Sequence, residues 1–201
     1  MVSLAELPLR HPDRWARATR HPFLAAVRDG SIPGRAFNTW LAQDYAFVAD
    51  LLWFQARLLA RAPRQAQPVL VSGASALVDE LAWFERRAEE RSIGLTAPPL
   101  PAAAVYAGLI NDLDQAEVPL ALTMLWTIER TYLDAWSFAA PGDPAYREFV
   151  DHWTDPAFTV YVDALAAAAD AAGPAGPDLD DRFRQVVEAE IGFWDMAWAQ
   201  P

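Results

Sequence analysis

Three segments of this chain carry apolar residues at helical spacing, and each sets one carboxylate in the middle of its apolar stripe. Phe37, Trp40, Leu41, Asp44, Phe47, Val48, Leu51 and Phe54 share one face of the first. Leu122, Leu125, Trp126, Glu129, Leu133 and Trp136 share a face of the second, and Phe183, Val186, Val187, Glu190, Phe193, Trp194 and Ala197 a face of the third. No basic residue lies on these stripes, since Arg130, Arg182 and Arg184 fall off them. An ionised carboxylate buried without a partner is prohibitively costly, so each acid must shift its pKa, find a partner on another helix, or face a polar pocket. Three such acids on three helices predict a pocket between them.

The rest of the chain reads as helices and stops, with no run of alternating β-branched residues that would make a strand. Helices are predicted over 13–19, from Pro22 to a stop at Gly30, and over 33–61, 65–91, 102–113, 118–139, 145–152, 156–171 and 179–199. The prolines between Thr96 and Pro101 make a connector, because successive prolines remove donors and fix φ. The expected architecture is all-α, a compact helical bundle formed by residues 1–201 as a single domain. Ligand sites in bundles form between facing helices, so the helices of Asp44, Glu129 and Glu190 are the expected walls.

Composition narrows the chemistry. A net charge of -11, with no lysine among 16 basic residues, leaves no cluster to release counterions from a phosphate backbone, which argues against nucleic acid. With no cysteine the chain has no thiol nucleophile and no thiolate ligand. His11, His21 and His152 are too scattered for a zinc site, and no Glu-x-x-His occurs, so neither a metal nor a cofactor is expected. No apolar run is long enough to span a membrane and the first residues lack a leader pattern, which predicts a cytoplasmic protein with no membrane partner. Nine tryptophans fit a core, yet a planar heteroaromatic ligand would also use such faces for stacking. Tyr45 and Tyr132 flank the acid-bearing faces, and Tyr106 lies on the short helix after the connector.

The segments ATRHPFLAAVRDGSIPGRAFNTWLAQDYAFV (18–48), LTMLWTIERTYLDAW (122–136) and EAEIGFWDMAW (188–198) resemble, in this order, the TenA/thiaminase II family. The resemblance implies a haem-oxygenase-like helical fold that binds no haem and acts on aminopyrimidines in thiamin salvage. The better-known branch of the family has a cysteine nucleophile on the helix that here carries Met124 and Trp126. This chain resembles instead the cysteine-lacking branch, in which a glutamate on that helix serves and aminomethylpyrimidine or its N-formyl form is hydrolysed to hydroxymethylpyrimidine. By position, Asp44 matches the aspartate that grips the pyrimidine, Glu190 the C-terminal acid/base glutamate and Tyr106 a pocket tyrosine. Phe47 and Trp153 stand where two further family tyrosines are expected, keeping the stacking surface without the hydroxyls.

The expected catalytic set is therefore Glu190, Glu129 and Asp44. The expected substrate-binding set is Asp44, Tyr45, Phe47, Tyr106, Trp126, Tyr132, Trp153 and Trp194. The expected partner is a small-molecule pyrimidine, and the resemblance further implies a homo-oligomer, a dimer or a tetramer. Two other readings fit the same residues: a non-catalytic pyrimidine binder, and a haem- or oxygen-dependent enzyme using His21.

Overall fold

The computed structural model describes residues 4–199. After a 3-10 turn at Leu4–Glu6 come α1 (Leu7–Arg10), α2 (Pro12–Thr19), α3 (Pro22–Asp29), α4 (Gly34–Arg61) and α5 (Gln67–Glu90). There follow α6 (Pro101–Asp114), α7 (Val118–Ala139), α8 (Arg147–Trp153), α9 (Pro156–Ala172) and α10 (Leu179–Trp198). The described residues contain no strand, and none of their helices is long and apolar enough to cross a membrane. The predicted helices are all present with ends moved by one or two residues; the 3-10 turn and α1, too short to show a period, went unpredicted.

Local chemistry explains several of the boundaries. Pro22 occupies the first turn of α3, where its missing N–H costs nothing, and His21 caps that helix by accepting the Phe23 N–H on Nδ1 at 3.1 Å. Gly30 ends α3 at φ 76°, a left-handed conformation that glycine adopts without strain. Asp155 caps α9 by accepting the Ala157 N–H at 2.7 Å, with Pro156 next in line. The Pro-rich connector is tied to α4 through one side chain: Gln43 accepts the Leu100 N–H at 2.8 Å and donates to the Pro98 carbonyl at 3.4 Å. That clamp sets where α6 begins.

Helix α7 is the centre of the bundle, packed against α2, α3, α8, α9 and α10 and buried on nearly all sides. Its polar residues do not oppose this, because the hydroxyls of Thr123, Thr127 and Thr131 each donate to the carbonyl four residues back at 2.7–2.9 Å. Helix α5 pairs with α4 and α9, while α10 lies against α2, α3, α4, α6 and α7. One continuous apolar core runs through these contacts. Trp40 sits in its middle, with ring centroids 5.0 Å from Phe37, 5.1 Å from Trp136 and 5.6 Å from Trp153.

Candidate active site

A cavity of about 780 Å³, a size that suits a small ligand, opens between α4, α5, α7, α8 and α9. Asp44 and Phe47 reach it from α4, Glu80 and Trp83 from α5, Glu129 and Tyr132 from α7, Trp153 from α8, and Tyr161 from α9. Its walls are mainly aromatic and aliphatic, with carboxyl groups set among them.

Asp44 is held by a relay. The Trp40 Nε1–H donates to the Tyr132 hydroxyl at 3.2 Å, and that hydroxyl donates to Asp44 Oδ2 at 2.7 Å. Oδ1 of the same carboxyl is buried with no hydrogen-bond partner. A buried polar atom left bare is costly, so this oxygen is the natural landing point for a ligand N–H. Burial raises the Asp44 pKa well above the usual carboxylate range; the Tyr132 hydrogen bond opposes that, and the charges of Glu80 and Glu190 add to it. Trp194 stacks on Tyr132 from behind, at 5.7 Å and 17°, and Trp136 stacks on Trp153 at 4.7 Å and 24°. These pairs fix the rings that form the wall.

Glu129 is pushed up to about 8, first by burial, then by the charge of Glu80. It accepts a long hydrogen bond of 3.4 Å from the Tyr161 hydroxyl, which also donates to Gln55 Oε1 at 3.1 Å. Gln55 is in turn oriented by donating to the Leu70 carbonyl at 2.8 Å. Glu80 is raised to about 7 by burial, with Trp153 Nε1–H donating to its Oε1 at 2.9 Å. Among the described residues no arginine pairs with Asp44, Glu80, Glu129 or Glu190. Nor does any group of three or more described His, Asp or Glu stand close enough to hold a metal ion.

Of the residues singled out in the sequence, Asp44, Phe47, Glu129, Tyr132 and Trp153 meet at this cavity. Glu190 and Tyr106 do not line it. They form a buried pair behind it, with the Tyr106 hydroxyl donating to Glu190 Oε1 at 2.6 Å, and burial raises Glu190 to about 8. The Glu190 charge still reaches Asp44 and Glu129. Trp194 likewise lies one layer behind, against Tyr132.

Two more expected contacts are corrected. Tyr45 turns away from the cavity, its hydroxyl donating to Glu85 Oε1 at 3.0 Å in a solvent-exposed contact. Trp126 lies on another side of α7, lining a separate depression with Trp15 and Phe138. The α10 wall predicted from Glu190 is supplied instead by α5, α8 and α9. Sequence reasoning missed Glu80, Gln55 and Tyr161. Both nitrogens of His21 are already engaged, Nδ1 by Phe23 N–H and Nε2 with Asp195 Oδ1 at 3.0 Å, so haem ligation would require dismantling a helix cap.

Fold and cavity together define a helical protein of the haem-oxygenase-like type with an acid-bearing, ring-lined ligand cavity. The chain belongs to the TENA/THI-4/PQQC family, whose model matches residues 10–200. It is 32% identical over 197 residues to a Glycine max protein named "Probable bifunctional TENA-E protein", covering 90% of this chain and 86% of that one. A TenA homologue from Pyrococcus furiosus superposes with a TM-score of 0.91 at 28% identity, covering 98% of this chain and all of the other. The TenA homologue from P. horikoshii OT3 gives a TM-score of 0.86 at 20% identity over 98% and 99% of the two chains, a likeness of fold.

Proposed function

We propose that the protein is an aminopyrimidine hydrolase of thiamin salvage, converting aminomethylpyrimidine, or its N-formyl form, to hydroxymethylpyrimidine. The observation that carries this reading is the bare Oδ1 of Asp44, buried at a cavity whose walls are rings. An aminopyrimidine presents an N–H on one edge and a flat face above and below it. Asp44 takes the edge, and the aromatic walls take the face.

The cavity also carries the acid such a reaction needs. Glu129, raised to about 8, is protonated at neutral pH and is placed to give that proton to the departing amine. Glu190, assigned this task by family resemblance, lies behind the wall, where the charge it gains as it ionises above neutral pH opposes ionisation of Glu129. The nearby Glu80 charge acts in the same direction. With no cysteine in the chain, carbon–nitrogen cleavage proceeds through carboxyl groups and water.

The test is a substrate panel of aminomethylpyrimidine, its N-formyl derivative and thiamin, with products followed by mass and ammonia release. Hydroxymethylpyrimidine formed from either of the first two supports the proposal. Binding of these compounds without turnover would replace it with the non-catalytic pyrimidine binder.

A further inference from the structure

Apart from the exposed Asp79, Glu148, Asp151 and Asp155, Glu80 is the cavity acid that the mechanism above leaves without a chemical step. It rises from α5, between Leu77 and Phe84 on one face of that helix, and its side chain is 14% exposed. Trp153 Nε1–H, a group that only donates, holds Oε1 at 2.9 Å, so the tryptophan fixes the carboxyl against the aromatic wall. Its charge is felt by both Asp44 and Glu129, which places it beside the two groups assigned to the substrate.

We propose that Glu80 is the general base of the reaction, taking the proton of the attacking water while Glu129 protonates the leaving amine. This inference rests on the proposed hydrolysis. Two neighbouring carboxyls do not both ionise readily, so one proton is held between them. Geometry decides which one keeps it. Glu80 receives a dedicated N–H bond, which favours its ionised form, whereas Glu129 has only a long contact from a hydroxyl that also serves Gln55.

The step balances. Water oxygen forms the new C–O bond as the C–N bond breaks; one water proton goes to Glu80 and the Glu129 proton goes to the nitrogen, which leaves as ammonia. Passing the proton from Glu80 back to Glu129 restores the pair.

The groups facing Glu80 leave this role open. Asp44 approaches from α4, Glu129 and Tyr132 from α7, and Tyr161 from α9. From α8 the His152 Nε2 lies 3.9 Å away, but burial pushes that imidazole down to about 4, so it is neutral near pH 7. Asp151 and Glu148 on α8, Asp155 at the start of α9, and Asp79 and Arg86 on α5 itself are exposed residues around the same cavity.

The test is Glu80→Gln in the full chain, since glutamine keeps an oxygen for the Trp153 N–H. With aminomethylpyrimidine, kcat should fall roughly 10²-fold or more while KM stays within about threefold. The acidic limb of the kcat/KM profile, which reports ionisation of the base, should disappear. Trp153→Phe keeps the acid but removes the bond that favours its ionised form, so the same limb should move to higher pH. Circular dichroism and a melting curve establish folding, and if Glu80→Gln does not fold, the Trp153→Phe limb decides. An undiminished kcat with an unchanged limb in an active protein overturns the assignment alone; a wild-type protein that turns over neither aminopyrimidine overturns the hydrolase reading with it.

Discussion

At the scale of single residues, the four raised acids in and behind the cavity are not equivalent, because they differ in what they can touch. Glu129 faces the cavity and Glu190 does not. Glu129→Gln should therefore lower kcat roughly 10²-fold or more, the loss typical of a proton donor. Glu190→Gln should cost less, and it should move the alkaline limb of the pH profile to lower pH, because one of the charges that keeps Glu129 protonated is gone. Steady-state kinetics of both variants across pH 5–9 decides the matter: an equal loss in kcat for the two would return the leaving-group proton to Glu190. Asp44→Asn acts on another quantity. It removes a carboxyl oxygen offered to a ligand N–H, so binding of hydroxymethylpyrimidine, measured by calorimetry, should weaken by about 1.5–3 kcal/mol while the fold persists.

Elements matter because a site residue is only as well placed as the helix packing behind it. Helices α4, α5 and α9 converge at Gly73, where a Cβ would stand 2.3 Å from both Gln55 Nε2 and the Tyr161 hydroxyl. Gly73→Ala must displace Tyr161, which bonds Glu129, and Gln55, which bonds Tyr161, so it should cost roughly 1–3 kcal/mol in denaturant melts and reduce activity. The control is Gly192→Ala on α10, whose Cβ would meet only Ala102 Cβ at 3.9 Å; there the gain in helix propensity should stabilise by about 0.5–1 kcal/mol. The same contrast between elements explains what the sequence could disclose. Asp44, Glu129 and Glu190 were legible because each interrupts an otherwise apolar stripe. Glu80 was equally legible, since Ala76, Leu77, Trp83 and Phe84 stand three and four residues from it on α5 and make the same kind of stripe around it. Trp126 was misplaced because α7 is buried almost all round, so its apolar face points to several neighbours at once and the period cannot choose among them. The exchange of α10 for α5, α8 and α9 as cavity walls has the same origin: period tells which face is inward, and only tertiary packing tells what lies opposite.

For the whole molecule, the cluster of acids with raised pKa values ties stability to pH, and the sign follows from where the protons sit. Glu80, Glu129 and Glu190 titrate near 7, 8 and 8 in the fold, and Asp44 well above its usual value, whereas all four would ionise near 4 when unfolded. Between those limits the folded state holds more protons than the unfolded one, so stability is greatest at low pH in this window and is lost as pH rises through 7 and 8. Two histidines work against this below pH 6.5: His152 and His21 are depressed by burial, and their contribution grows as pH rises toward 6.5. Above that value the acids act alone. Each proton kept only by the folded state contributes a slope of about 1.4 kcal/mol per pH unit. The melting temperature should therefore fall steadily from pH 6.5 to 8.5 at constant ionic strength. Asp44→Asn should flatten that fall and melt higher than the wild type at pH 8.5, because an amide has no ionised form to be forced out of solvent. A melting temperature that is flat or rising across this window would mean that the four carboxyls are ionised in the fold, and with them would go the protonated Glu129 on which the proposed hydrolysis depends.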